Sequence, residues 1–171
     1  PIEDWDKYKE ALMLRSGNDN KIVRLLHTRA KMKAKRIVFA EADHLDVLKA
    51  AQIVHEEGIA IPILLGNRAI IEELKEEIEF DAPLEIIDPK SDDQTEKLNG
   101  YAETFWKSRR RSGITLYAAQ KLMRERNYFA AMMVNEDHAD ALVTGYTRSY
   151  PTVAKPMIDL IGKIKGIKKI A

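Results

Sequence analysis

The residues best equipped for chemistry lie between Ala139 and Pro156, in the order Ala139-Asp140-Ala141-Leu142-Val143-Thr144-Gly145-Tyr146-Thr147-Arg148-Ser149-Tyr150-Pro151-Thr152-Val153-Ala154-Lys155-Pro156. A short apolar run ends abruptly at Thr144-Gly145. A loop bearing hydroxyls and a guanidinium follows, and then an apolar helical pattern begins. That order is a buried strand, a loop and a helix, the arrangement that places ligands at the carboxyl end of a parallel sheet. Thr144, Thr147, Arg148, Ser149 and Tyr150 offer donors suited to phosphate or carboxylate. The plainer alternative is that these hydroxyls only cap the helix.

Two other clusters could carry chemistry. Glu41-Ala42-Asp43-His44 ends the first apolar run. Two carboxylates and an imidazole there suit acid–base work or a metal. The structural alternative has Asp43 capping the next helix, Glu41 in solvent and His44 on an exposed first turn. Lys107-Ser108-Arg109-Arg110-Arg111 is the second cluster. A guanidinium from it could clamp phosphate, whereas cations at a helix C-terminus are also stabilised by the helix dipole. At least two of the three arginines are expected to serve the dipole. Asp137 and His138 precede the fourth strand, at its amino end, and are expected to be structural. Met132 and Met133 are expected in the core. No Gly-x-Gly-x-x-Gly or His-Glu-x-x-His pattern occurs.

These groups need elements to hold them. Arg36 to Ala40 is expected as a buried strand, followed by a helix with Val47, Leu48, Ala51 and Val54 on one face, ending at Gly58. Ile61 to Gly66 is the second strand, and Ile71, Leu74 and Ile78 mark a helix. Leu84 to Ile87 is the third strand, closed by Asp88-Pro89. Ser91-Asp92-Asp93-Gln94 reads as a capping box ahead of a long helix with Leu98, Ala102 and Phe105. Thr115 caps the next helix, and Asn127 starts another. The fourth strand is Ala141 to Thr144. Ser149 to Ile161 is the last helix, with Pro156 as an irregularity inside it. Ile167 to Ala171 reads as the start of a fifth strand. Strands alternate with helices long enough to cross over, so the expected fold is α/β, a mostly parallel sheet with helices on both faces in three layers. Ahead of it, Trp5, Tyr8 and Leu12 follow helical spacing up to Ser16-Gly17, and Asp19 or Asn20 can cap a second helix. These resemble a leader or linker. The expected division is 1–18 as a linker helix and 19–171 as the α/β domain.

The 171 residues are 45% hydrophobic and 32% charged, enough for one domain with a core. With 28 basic against 27 acidic side chains, the formal charge is +1, and no global field favours nucleic acid. The absence of cysteine excludes disulfides and thiolate catalysis. No apolar run reaches membrane-spanning length. No signal peptide is visible, so a cytoplasmic location is the default expectation. The sequence starts at Pro1 without Met and reads as a piece of a longer or processed protein.

Several segments together resemble the phosphate acetyltransferase/phosphate butyryltransferase family. They are Lys35 to Phe39, Val47 to Ala51, Ile63 to Asn67, Arg109 to Thr115, Lys121 to Met123, Asn127 to Val134, and the Ala139 to Pro156 stretch. The resemblance covers roughly residues 20–171. Details look closer to one branch, the acetyltransferase-like C-terminal region of bacterial hybrid NADP-dependent malic enzymes. Phe39-Ala40-Glu41-Ala42-Asp43 and Thr144-Gly145-Tyr146-Thr147-Arg148-Ser149-Tyr150 resemble that branch. Active acetyltransferases usually show Pro-Glu-Gly at the first place, and Ser-Gly then His-Ser-Thr at the second.

The resemblance implies two α/β domains with a cleft between them, and a dimer. Its catalytic Ser-Arg and Asp fall past Ala171, so no catalytic residue and no metal ligand is expected in this chain. By position, Arg109 matches a family arginine linked to coenzyme A or phosphate. Thr144 matches the Ser of Ser-Gly, Arg148 to Tyr150 match His-Ser-Thr, and Lys155 matches an Arg before the proline. The implied binding set is Arg109, Thr144, Arg148, Ser149, Tyr150, Lys155, Glu41 and Asp43. The implied function is a regulatory region that binds acetyl-CoA or a related phosphorylated effector, without transferase activity. The parent would decarboxylate malate with NADP and a divalent metal, Mg or Mn, with no cofactor in this segment. The expected partners are the effector, the malic-enzyme domain and a second copy of the chain, with neither nucleic acid nor membrane. The alternatives are a truncated active phosphate acetyltransferase and a ligand-free oligomerisation module.

Overall fold

The computed structural model describes residues 21–162 together with Trp5 and Tyr8. The expected cap at Asp19 or Asn20 and the fifth strand at Ile167 lie outside the described residues, as does the 1–18 linker apart from Trp5 and Tyr8. Those two are helical, exposed, and meet edge to face at 6.0 Å.

Among the described residues the order is α1 (Lys21–Met32), β1 (Lys35–Phe39), α2 (Leu45–Glu56), β2 (Ala60–Leu65), α3 (Arg68–Glu77), β3 (Glu85–Ile87), α4 (Thr95–Arg109), α5 (Leu116–Met123), α6 (Arg126–Asn135), β4 (Ala141–Val143) and α7 (Tyr150–Leu160). Short 3-10 turns cover Asp92–Gln94 and Arg110–Ser112. All strand pairings are parallel, in the order β3-β2-β1-β4. Pro62 sits in β2 without breaking it. It pairs with Ile37 on one side, while β3 begins opposite Ile63, so the missing N–H meets no strand on that flank.

The strands alternate their side chains between two cores, as the two-residue period requires. Val38, Ala40, Ile63, Leu65 and Ile87 face α4, α5 and α6. Phe39, Leu64 and Ile86 face α2 and α3, where Leu48, Ala51 and Ile71 are fully buried. This is the expected three-layer arrangement. Helix α6 is covered all round: Asn127 to Met133 is buried without a break. Its alanines let the backbone lie close to the sheet, and Phe129 stacks edge to face on Tyr101 at 5.2 Å.

Chain order and space order part company at β1. The crossovers β1–β2–β3 run outward in one direction, and β4 returns to the other flank of β1. The segments leaving β1 and β4 meet at the carboxyl ends of the strands, at the switch point where sheets of this kind place a ligand crevice.

Two local expectations change. The N-cap of α2 is His44, whose Nδ1 accepts from the Asp46 amide, not Asp43. The Ser91 side chain caps no helix; its hydroxyl turns to Asp93 and to the Asp88 carbonyl. Thr115 does cap α5, accepting from the Ala118 amide at 3.1 Å. Helix α7 continues through the buried Pro156, which removes only the bond to the Thr152 carbonyl.

Candidate functional site

The crevice is built around Glu41. This residue directly follows Ala40, whose amide still donates to Val143 of β4. Its side chain therefore turns toward the loop that leaves β4. That carboxylate is 1% exposed, and the loop closes over it. The Thr147 amide donates to Oε2 at 2.7 Å, and the Gly145 amide to Oε1 at 3.2 Å. The Thr144 hydroxyl stands 3.3 Å from Oε1 and 2.8 Å from the side-chain carboxamide of Asn127. One hydroxyl proton serves one acceptor. The Thr144 proton therefore goes to Asn127 Oδ1, the nearer acceptor, or to Glu41 Oε1, so the hydroxyl links the two buried side chains. Gly145 makes the wrap possible: its φ of +104° is a backbone state that side-chain-bearing residues rarely adopt.

Burial pushes the Glu41 carboxyl upward. The Thr147 and Gly145 amides, with the Thr147 and Thr144 side chains, outweigh it and hold the carboxyl below its ordinary value of 4.5. The structure thus corrects the reading of Glu41 in solvent, and its negative charge stabilises the loop from beneath.

Asp43 is engaged as well. Arg126, in the first turn of α6, grips it with both terminal nitrogens, at 2.7 and 2.9 Å. Gly66, at the end of β2, lies against it. A Cβ at Gly66 would come within 3.1–3.2 Å of Asp43 Cγ, Cβ and the backbone nitrogen. Gly66→Ala is therefore expected to cost about 1–3 kcal/mol by overpacking. A fall in the urea midpoint at unchanged slope checks it.

The loop is also docked from outside. The Tyr146 ring packs against that of His44, tilted by 59° with centroids 4.6 Å apart, and its hydroxyl donates to Asp46. Beyond it, Arg148, Ser149 and Tyr150 are exposed at the start of α7, and Lys155 is exposed further along. Arg148 and Lys155 have no hydrogen-bond or ion-pair partner among the described residues. Ser149 is the N-cap position, yet its hydroxyl lies 3.0 Å from that of Thr152 and makes no cap bond.

The eight expected binding residues thus separate into three groups. Glu41, Asp43 and Thr144 converge at the crevice but spend their polar atoms on the protein itself. Arg148, Ser149 and Tyr150 are exposed where the loop enters α7, and Lys155 is exposed further along the helix. Arg109 lies elsewhere: it donates to the Asp159 carbonyl in the last turn of α7, opposite the helix end that carries Arg148. Tyr128 also reaches that turn, donating to the Asp159 carboxylate at 3.0 Å, and burial with this contact pushes its phenol up to about 12.

Sequence spacing missed Arg126, Asn127 and Tyr146. Asn127 carried a signal, a polar residue opening an otherwise apolar run. It does not start α6, which begins at Arg126, but fixes Thr144 instead.

With this geometry in hand, relatives are informative. A phosphate acetyltransferase of Thermoanaerobacterium thermosaccharolyticum is 35% identical over 88% of this chain and 44% of that protein. An NADP-dependent malic enzyme of Haemophilus influenzae is 31% identical over 100% of this chain and 23% of its own length. An NAD-dependent malic enzyme of Rhizobium meliloti is 32% identical over 98% and 22%. Among solved structures, the EutD phosphotransacetylase of Staphylococcus aureus superposes with a TM-score of 0.73 at 27% identity, covering 85% of this chain and 43% of that one. The chain spans less than half the length of each of these relatives. The family model for phosphate acetyl/butaryl transferase matches residues 21–171. The fold is thus shared with a solved phosphotransacetylase, and the chain belongs to the phosphate acetyl/butaryl transferase family.

Proposed function

We propose that the chain is the acetyltransferase-like region of a bacterial NADP-dependent malic enzyme. In this reading it binds acetyl-CoA or a related phosphorylated effector and sets the activity of a malate-decarboxylating domain in the same cytoplasmic, homo-oligomeric protein. The observation that carries the reading is the match to malic enzymes from end to end. It takes in the residues ahead of 21, where the family model begins. NADP and the divalent metal belong to the malic-enzyme part, outside this chain.

The rim of the crevice supplies the anion chemistry. Arg148 presents a two-pronged donor and Lys155 a point charge, at and beyond the positive end of α7. Glu41 fixes the loop that carries Arg148 to the start of α7. The reading without acyl transfer is supported by Thr144, whose hydroxyl is engaged by Asn127 and Glu41. An effector changes the distant domain only by binding one of its states better than another.

The test is steady-state kinetics of the full parent protein with and without acetyl-CoA, with mass measured in parallel. Acetyl-CoA is expected to change kcat/KM for malate at least about fivefold, the low end of typical coupling. Arg148→Ala/Lys155→Ala is expected to remove that response at unchanged oligomer mass. Acetyl phosphate formation from acetyl-CoA and phosphate would instead establish an active transferase. No effector binding, with assembly intact, would leave an oligomerisation module.

A further inference from the structure

A second cleft opens at the same carboxyl edge of the sheet, beyond β3 and two strands away from the crevice. Its volume is about 420 Å³, within the range of small-molecule sites. The floor is Leu98, buried at 6% exposure, with Pro89 beside it. Tyr117 stands on the wall, 77% exposed. Lys90, Lys121 and Arg124 line it, and none of the three side chains has a hydrogen-bond or ion-pair partner among the described residues. Asp92 is the one acidic residue in the lining. In a chain whose net charge is only +1, three cations against one carboxylate around one hollow are a local excess.

The walls are fixed without a ligand. Gln120 donates to Asn99 at 3.1 Å, tying α5 to α4. The Asp88 side chain accepts from the Lys90 amide at 2.9 Å, and the Ser91 hydroxyl donates to the Asp88 carbonyl at 2.7 Å. A cleft held open in this way loses little conformational freedom on binding. The larger hollow, about 530 Å³ at the C-terminus of α3, is different in kind. It is lined by four acidic residues, and its cation, Lys75, is spent on the Ala82 carbonyl.

We infer that the Lys90–Lys121–Arg124 cleft binds a nucleoside phosphate. The cations take the phosphates, with Arg124 offering the fork that matches two oxygens. The apolar floor and the Tyr117 ring take the planar base. The Asp92 carboxylate can accept from ribose hydroxyls. The site lies outside the β1–β4 crevice and does not depend on the malic-enzyme reading.

The test is calorimetric titration of the full parent protein with ADP, inorganic phosphate and adenosine. ADP is expected to bind with a Kd on the order of 0.1 mM or tighter, and phosphate and adenosine at least tenfold more weakly. Lys121→Ala/Arg124→Ala is expected to weaken ADP at least tenfold, and Tyr117→Ala severalfold. Both variants alter exposed side chains, and an unchanged thermal midpoint checks their folding. Arg148→Ala is expected to leave ADP affinity unchanged. ADP binding that survives Lys121→Ala/Arg124→Ala, or is lost with Arg148→Ala, would place the nucleotide in the crevice and overturn the inference. So would phosphate binding as tightly as ADP, or no binding of ADP.

Discussion

Glu41→Ala is expected to lower the stability of the domain by about 2–4 kcal/mol. Two backbone amides and one hydroxyl lose their shared acceptor at once, and each orphaned buried donor costs about 1–3 kcal/mol. The sum is discounted because Gly145 and Thr147 reach the surface, where water can replace part of the lost pairing. For a chain of this length that is a fall of roughly 5–15 °C in Tm, read by calorimetry. The loop should loosen too, so amide exchange at Gly145 and Thr147 should accelerate while the β1–β2 ladder stays protected. Uniform acceleration across the sheet would show that Glu41 serves the whole fold and not the loop.

Glu41→Gln separates charge from shape. Both carboxylate oxygens accept from backbone amides, so a carboxamide must turn its NH2 toward one of these donors. The pH dependence follows from the same bonds. The folded carboxyl lies below its ordinary value of 4.5, so its stabilisation is fully present above that pH. It is lost as pH falls through the lower, folded value. The wild-type chain should therefore lose stability more steeply below pH 4.5 than Glu41→Gln does, with the curves running parallel above it. Parallel curves throughout the acid limb would remove Glu41 from the account.

The layers of this fold are legible in the sequence because they rest on local pattern. The runs at 36–40, 61–66 and 141–144 are strand-sized and apolar, and the helices between them carry apolar faces at helical spacing. Each lies within a residue or two of where the structure puts it. The candidate site is less legible, for a physical reason. Glu41 meets Gly145 and Thr147, 104 and 106 residues away, and Asp43 meets Arg126, 83 residues away. Capping rules weigh a carboxylate against neighbours within a turn, so Asp43 reads as a cap and Glu41 as solvent-facing. The sheet order, with β4 returning to the open flank of β1, brings these distant segments together, and spacing does not encode that order. Arg109 is a further long-range case: its family position suggests phosphate, and in the folded chain one terminal nitrogen donates to the Asp159 carbonyl in the last turn of α7, 50 residues away.

The Asp43–Arg126 fork is the other place where one substitution should have a large effect. It joins the β1 loop to the start of α6, and its side chains are 15% and 27% exposed. Removing one partner from a buried pair typically costs about 3–5 kcal/mol, because the remaining charge is stranded. Partial exposure brings the expectation for Arg126→Ala down to about 2–3 kcal/mol. Arg126→Lys should recover part of this, since an ammonium keeps the charge but cannot match both carboxylate oxygens. Asp43→Asn/Arg126→Ala should be less destabilised than the sum of its single changes, because neither charge is then stranded. The carboxamide also keeps its bulk against Gly66, where the backbone leaves no room for rearrangement. A coupling energy near zero would mean that the fork adds little beyond packing. A coupling above about 1 kcal/mol would make it the clamp that holds α6, and with it Asn127 and Thr144, against the β1 end of the crevice.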